Sequence, residues 1–224
     1  MHCLWCYEEI IPNLNWQNIF TLFKPRSLCE PCEVRLSKLV GSRCLRCSRM
    51  SADRICKDCE WWEKRLGGDV LTCNHSIYAY NDFMQDVIAK WKYRGDYQLG
   101  QIFKQPLIDA FSSLFVNKEV VIVPVPLSEE RTLERGFNQA KVLADFLPDS
   151  SMEVLKRVHG EKQSKKSRNE RIFTNNPFIL TRPIEKPVLL VDDIYTTGTT
   201  IRHAAGLLRK HGTPKVYSFT LIRG

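Results

Sequence analysis

The segment Val188-Leu-Leu-Val-Asp-Asp-Ile-Tyr-Thr-Thr-Gly-Thr-Thr200 decides the fold. Four apolar residues in a row read as a strand buried on both faces, as in a parallel sheet. Two adjacent carboxylates follow at its carboxyl end. Next comes a turn rich in threonine with one glycine, and then a helix from Thr199 to Lys210, stopped by Gly212 and followed by Pro214. The carboxyl ends of parallel strands are where open α/β sheets bind ligands. Backbone amides of Thr196, Thr197, Gly198, Thr199 and Thr200 at the start of a helix form a nest for an anion, and Gly198 lets the backbone come close to it. Asp192 and Asp193 lie one step earlier. There they can accept hydrogen bonds from sugar hydroxyls or hold Mg²⁺.

Outward from this segment the pattern is strand and helix in alternation. His75–Tyr80 alternates as a strand. Asp82 is placed to cap a helix carrying Phe83, Val87, Ile88 and Trp91 that ends near Gly95. A helix over Leu99–Phe115 is divided or kinked by Pro106. Val120–Val123 is a short buried strand, Gly136–Leu147 a helix and Val216–Ile222 a strand. Strand, helix and strand over 188–222 imply a right-handed parallel crossover. The fold class is therefore α/β, with a mostly parallel sheet and helices on both faces, preceded by a small cysteine-rich module. The division falls at 1–66 and 70–224, with Gly67-Gly68 as hinge and Trp61, Trp62 and Leu66 as packing residues between the parts.

Eight of the nine cysteines lie between residues 3 and 59, as four Cys-x-x-Cys pairs. Cysteines three apart seldom bridge each other without strain, but two thiolates at that spacing converge on one metal. Two pairs complete a closed, tetrahedral, structural zinc site, so the module is a double zinc ribbon. Two pairings are open. Sequential pairing joins Cys3 and Cys6 with Cys29 and Cys32, and Cys44 and Cys47 with Cys56 and Cys59. Interleaved pairing exchanges them. Cys73 reads as a small core residue at a strand edge. The five histidines form no constellation and read as structural or solvated.

The chain has 224 residues and a formal net charge of +8, which suits polyanionic or phosphorylated partners. No apolar run reaches the roughly 18 residues of a membrane span, and the first residues lack the plan of a secretory signal. The expectation is a cytoplasmic protein without membrane insertion. Lys92, Tyr93 and Arg94 interleave an aromatic with cations, as single-stranded nucleic acid requires. Lys162, Lys165, Lys166 and Arg168 belong to a basic stretch, 156–171, that suits DNA phosphates. Arg131 and Arg135 follow the stiff Pro124-Val-Pro126 loop, and a guanidinium can hold an anion bidentately.

The segment Val191-Asp-Asp-Ile-Tyr-Thr-Thr-Gly-Thr-Thr200 resembles the phosphoribosyl pyrophosphate (PRPP) motif of type I phosphoribosyltransferases. The cysteine pairs, Lys92-Tyr-Arg-Gly95, Pro124-Val-Pro126, Arg135-Gly-Phe-Asn-Gln139 and the spaced Arg157, Gln163, Arg168, Asn169 and Asn176-Pro-Phe178 together resemble the ComF family of late-competence proteins over nearly the whole chain. The resemblance implies a phosphoribosyltransferase-like fold and a role in natural transformation. It also implies single-stranded DNA and a DNA-translocating helicase as partners. PRPP, with Mg²⁺, would be bound by Asp192, Asp193, Thr196–Thr200 and Arg135, with Asp192 and Asp193 as the catalytic residues of any transfer. Three readings stand open: a DNA-handling factor with a PRPP pocket, a working phosphoribosyltransferase of unknown acceptor, and a non-enzymatic PRPP sensor.

Overall fold

The computed structural model describes residues 1–11, 26–93, 95–115, 118–158 and 176–224. Four parallel strands form the main sheet in the order β1, β6, β5, β2: β1 is Cys73–Ala79, β2 Val121–Pro124, β5 Val188–Tyr195 and β6 Val216–Arg223. A two-stranded antiparallel ribbon joins β3 (Leu155–Arg157) to β4 (Phe178–Leu180). The helices of the described residues are α1 (Glu30–Glu33), α2 (Lys57–Leu66), α3 (Asp82–Tyr93), α4 (Lys104–Phe115), α5 (Glu129–Arg135), α6 (Gln139–Asp145) and α7 (Thr199–Lys210). A 3₁₀ stretch, Tyr97–Phe103, precedes α4.

Strand β5 lies between β2 and β6, which is why its first four residues are all apolar. Leu189 and Val191 enter one core with Ile122, Phe219, α3, α4 and the 3₁₀ stretch. Val188 and Leu190 enter the other with Val123, Val216 and Ile201, Ala204, Ala205 and Leu208 of α7. The crossover expected over 188–222 is present, and α7 has the bounds read from the sequence.

Several boundaries differ from the sequence reading. Asn81, not Asp82, caps α3, because its Oδ1 accepts the Met84 amide at 2.8 Å. The Leu99–Phe115 helix is a 3₁₀ stretch followed by α4. Pro106 stands in the first turn of α4, where its missing N–H costs nothing. Gly136 (φ 76°) ends α5 and does not start a helix. Asn138 then caps α6 through the Ala140 amide. Strand β5 runs through the acid pair to Tyr195. Gly67 (φ 62°) closes α2 in the left-handed conformation. Cys73 opens β1 half-buried, its sulfur 3.4 Å from Nε2 of His75. Burial holds the His75 imidazole down at about 4, so this histidine is a neutral core residue against Phe115.

The edge of β1 is covered by the cysteine-rich part of the chain. Leu39 donates its amide to Ile77 and Ala79 donates to Ser37, while Asn74 donates to Arg46. An edge strand otherwise open to a foreign strand is thereby closed.

Candidate functional site

The two halves of the cysteine-rich part repeat one device. A knuckle places a non-glycine residue in the left-handed region just after its second cysteine: Tyr7 (φ 65°) after Cys6 and Ser48 (φ 62°) after Cys47. The amides of Tyr7 and Ser48 donate to Cys3 and Cys44 at 3.0 Å each. The other two cysteines of each half sit at the first turn of a helix, with Cys29 preceding α1 and Cys56 preceding α2. The four sulfurs of Cys3, Cys6, Cys29 and Cys32 lie within 4.8 Å of one another, as do those of Cys44, Cys47, Cys56 and Cys59. Pairing is therefore sequential. The separations Cys6–Cys29 at 3.6 Å, Cys47–Cys56 at 3.6 Å and Cys44–Cys59 at 3.8 Å are far longer than a disulfide. A zinc ion with Zn–S bonds of about 2.3 Å spaces its tetrahedral sulfurs by about 3.8 Å, so each set fits one zinc. Four cysteines leave no open coordination position, so a metal held there would supply structure.

The second group is wholly buried and bound into the sheet. Asn74 of β1 donates to the Cys47 carbonyl at 3.4 Å, and its own carbonyl accepts from Ser48 Oγ at 2.7 Å. Ser218 and Thr220 of β6 donate to Asn74 Oδ1, and Ser76 pairs with Thr220 at 2.7 Å. This explains a polar row inside an otherwise apolar sheet. The knuckle backbone needs hydrogen-bond partners once it is buried.

The turn after β5 begins α7 at Gly198 (φ 79°). A Cβ built there would lie 2.2 Å from Tyr195 Oη and 2.4 Å from Arg202 Nη1, so only glycine fits. Tyr195 Oη accepts from Arg202 at 2.5 Å, and Arg202 makes a two-pronged pair with Asp69, at 3.1 and 2.7 Å. The side chains of Arg202 and Asp69 are 1% and 4% exposed. Behind the turn, Arg223 Nη1 donates to the carbonyls of Tyr195 and Thr196 at 3.0 and 2.9 Å. The Trp62 indole N–H donates to the carbonyl of Thr197 at 3.0 Å. In a trans peptide the carbonyl and the next amide point in opposite directions. The amides of Thr196, Thr197 and Gly198 are thus turned away from Arg223 and Trp62, in the manner of an anion nest. Thr197 and Thr199 hydroxyls pair at 2.9 Å.

On β5 both acids are anchored by local amides: Asp192 Oδ1 accepts from Asp193 N, and Asp193 Oδ1 from Ile194 N, each at 2.9 Å. Lys92, at the end of α3, forms an ion pair with Asp193; the two side chains are 11% and 13% exposed. Burial pushes the Asp192 carboxyl up to about 6, against the pull of Lys92, Arg157 and Arg135. Burial, then Arg135, push the Lys92 ammonium down to about 8, with Arg131 adding to the shift and Asp192 opposing it. Four cations therefore gather around two carboxylates. Arg135 donates to Gln139 Oε1 at 2.9 Å. Its Nε and the Nε2 of buried Gln139 are donors without a hydrogen-bond partner among the described residues.

The predicted residues are thus distributed as follows. Asp192, Asp193, Thr196–Thr200 and Arg135 share one end of the sheet, and Lys92 joins them. Tyr93 is exposed, with Arg135 stacked on its ring at 5.3 Å. Arg94, Lys162, Lys165, Lys166 and Arg168 lie outside the described residues. Trp62, Gln139 and Arg157, read in the sequence as a packing residue, a motif residue and part of the basic stretch, are brought to this site by the fold; Asp69, Arg202 and Arg223 emerge only in three dimensions. Two of them had a signal: Arg202 stands on the apolar face of α7 beside Ile201 and Ala205, and Arg223 ends an apolar strand. A separate cleft of about 400 Å³ lies near Leu36, Tyr78, Ile102 and Gln105, and its lining includes neither the acids nor the turn. Among the described residues no helix is long and apolar enough to cross a membrane.

A model of the phosphoribosyl transferase domain family matches residues 98–224. Over 226 aligned residues the chain is 39% identical to the competence protein ComFC of Bacillus subtilis, covering 99% of this chain and 94% of that one. It is 31% identical to ComFC of Streptococcus pneumoniae, covering both chains in full. The DNA utilization protein YhgH of Escherichia coli O157:H7 is 32% identical over 110 residues, which are 46% of this chain and 48% of that one.

Proposed function

This chain belongs to the ComFC family of competence proteins and carries a phosphoribosyl transferase domain, and from that premise we propose that it serves DNA uptake in natural transformation by pairing a PRPP pocket with the handling of single-stranded DNA. The observation that carries the pocket is one strand–turn–helix unit bearing two anchored acids and a backbone nest, faced by Lys92, Arg131, Arg135 and Arg157. The amides of Thr196–Thr200 hold the 5′-phosphate. Asp192 and Asp193 accept the ribose hydroxyls. The unpartnered donors of Arg135 and Gln139 take diphosphate oxygens, with Lys92 beside them. Lys92 thereby moves from the DNA set to the phosphate set. Asp192 and Asp193 are oxygen ligands of the kind Mg²⁺ prefers; the ion, when bound, supplies charge neutralisation at the diphosphate.

DNA is assigned to exposed Tyr93, to Arg94, and to Lys162, Lys165, Lys166 and Arg168 beyond Arg157. The partner is the DNA-translocating helicase of the competence system, and the setting is the cytoplasm. Gathering of cations at the diphosphate position also favours transfer as a second reading, because charge develops there as the C1–O bond breaks. In that case the electron pair leaves with diphosphate, while an acceptor bonds to C1 and gives up its proton. Asp192 and Asp193, which grip the ribose, are the catalytic pair.

Calorimetric titration of PRPP tests the pocket, with and without Mg²⁺ and with an oligonucleotide present. Binding that disappears in Asp192→Ala/Asp193→Ala is expected. PRPP binding unchanged in that variant, or absent from the native chain, refutes the pocket. DNA affinity should fall with salt and fall further on replacing the four basic residues in 162–168. Diphosphate release on addition of one base or amine would select the transfer reading.

A further inference from the structure

Three successive carbonyls of the phosphate turn are held from behind by two side chains, and both side chains are tied to the second sulfur group. Arg223 spans the gap. Its Nη1 holds the carbonyls of Tyr195 and Thr196, and its Nη2 lies 3.7 Å from Cys47 Sγ. Trp62 holds the Thr197 carbonyl from α2, three residues after Cys59. The Arg202 guanidinium stacks on the Trp62 ring at 4.8 Å and meets Asp69, which Arg46 of the second knuckle approaches at 4.0 Å. The direction of the turn's amides therefore depends on where Cys47 and α2 stand, and these stand where Cys44, Cys47, Cys56 and Cys59 hold them. The first group has a different neighbourhood. Its knuckle donates from Leu4 to the Ser27 carbonyl and sets Trp5 against Phe83 of α3, in the opposite core.

We propose that the second sulfur group is a positioning element for the phosphate turn, acting through Trp62 and Arg223, so that metal in that group and a phosphorylated ligand in the turn stabilise each other. The first group has no part in this linkage. The ligand's identity rests on the PRPP reading above; the positioning of the turn does not.

The test uses the full-length, zinc-loaded protein. Trp62→Phe keeps a ring over Arg202 and removes the donor to Thr197; Arg223→Met removes the other two carbonyl contacts; Trp5→Phe is the matching change at the first group. Backbone ¹⁵N order parameters of Thr196, Thr197 and Gly198 are expected to fall from about 0.85 toward about 0.6 in the first two variants and not in the third, with two zinc ions per chain retained in all. Because linkage is reciprocal, saturating PRPP should raise the zinc affinity of one of the two sites in a competitive chelator titration and leave the other unchanged. Equal order parameters in all three variants overturn the positioning role. Calorimetric binding of PRPP with no change in either site's zinc affinity overturns the linkage. Lowered order parameters in Trp62→Phe with no calorimetric PRPP binding uphold the positioning role and remove the PRPP reading instead.

Discussion

The two sulfur groups are built alike and do different things. Each combines a knuckle whose turn needs a left-handed residue with a second cysteine pair at a helix start. In the first, the helix is a single turn and Cys6 is exposed. It covers the α3 side of the sheet. In the second, all four cysteines are buried, α2 runs ten residues, and the group stands behind the turn that follows β5. The difference teaches that a structural metal site acquires functional weight from what leans on it. The charged residues make the same point. Arg26–Glu33, beside the first group, is half-exposed on both sides. Asp69–Arg202, beside the second, is almost wholly shielded from water.

That contrast sets the expected order of perturbations. Asp69→Ala leaves Arg202 buried without its acid and should cost about 3–5 kcal/mol in denaturant unfolding, whereas Glu33→Ala should fall within about 0.5 kcal/mol of the native chain. Equal losses would erase the distinction between the two neighbourhoods. Gly198→Ala comes next. Positive φ and a Cβ inside the Tyr195–Arg202 contact should cost about 2–4 kcal/mol, with ligand affinity falling in step because the turn itself shifts. Trp5→Ala, which removes the edge-on contact with Phe83 at 5.1 Å, should cost about 1–3 kcal/mol and leave PRPP affinity as it was. A loss of affinity there would make both groups partners of the turn.

The smallest effect is a pH window in binding, measured without added metal. On the PRPP reading, Asp192 must be ionised to accept hydroxyl hydrogens, and Lys92 must be protonated to face a diphosphate. Affinity should therefore weaken below about 6 and above about 8, by up to about tenfold per pH unit. The signs for stability run the other way. A raised Asp192 favours the fold in acid and loses that contribution as pH rises through about 6. A lowered Lys92 favours it in alkali and loses that contribution as pH falls through about 8. Between these values both charges burden the ligand-free fold; phosphate oxygens would relieve Lys92, and ribose hydroxyls would relieve Asp192. A binding profile flat from pH 5 to 9 would remove both groups from the site.

Much of this was legible in one dimension. The apolar run of β5, the bounds of α7, the sulfur-ligand spacing and the acid–threonine turn are local features, and local sterics and periodicity suffice to read them. The helix divisions near Pro106 and Gly136 fall elsewhere than the sequence suggests, because a proline in a first turn and a glycine at a helix end look, in sequence, like a kink and a start. Trp62 reads as a packing residue between the two parts. Nothing in the string indicates that its indole N–H ends on the carbonyl of a residue 135 positions away. Lys92 reads equally well as a phosphate follower on DNA. Only the arrival of α3 beside the end of β5 turns it onto Asp193.

What the amino-acid order determined alone is the menu of local parts: strands, helices, four thiol pairs, and an acid–threonine turn. Which pairs share a metal, which cations face the acids, and which sulfur group stands behind the turn were decided by tertiary structure. The reason is physical. Hydrogen bonds and charge pairs act over a few ångströms of space, and the partners that matter here, Arg223 with Cys47 and Trp62 with Thr197, lie far apart along the chain and meet only when the sheet brings them together.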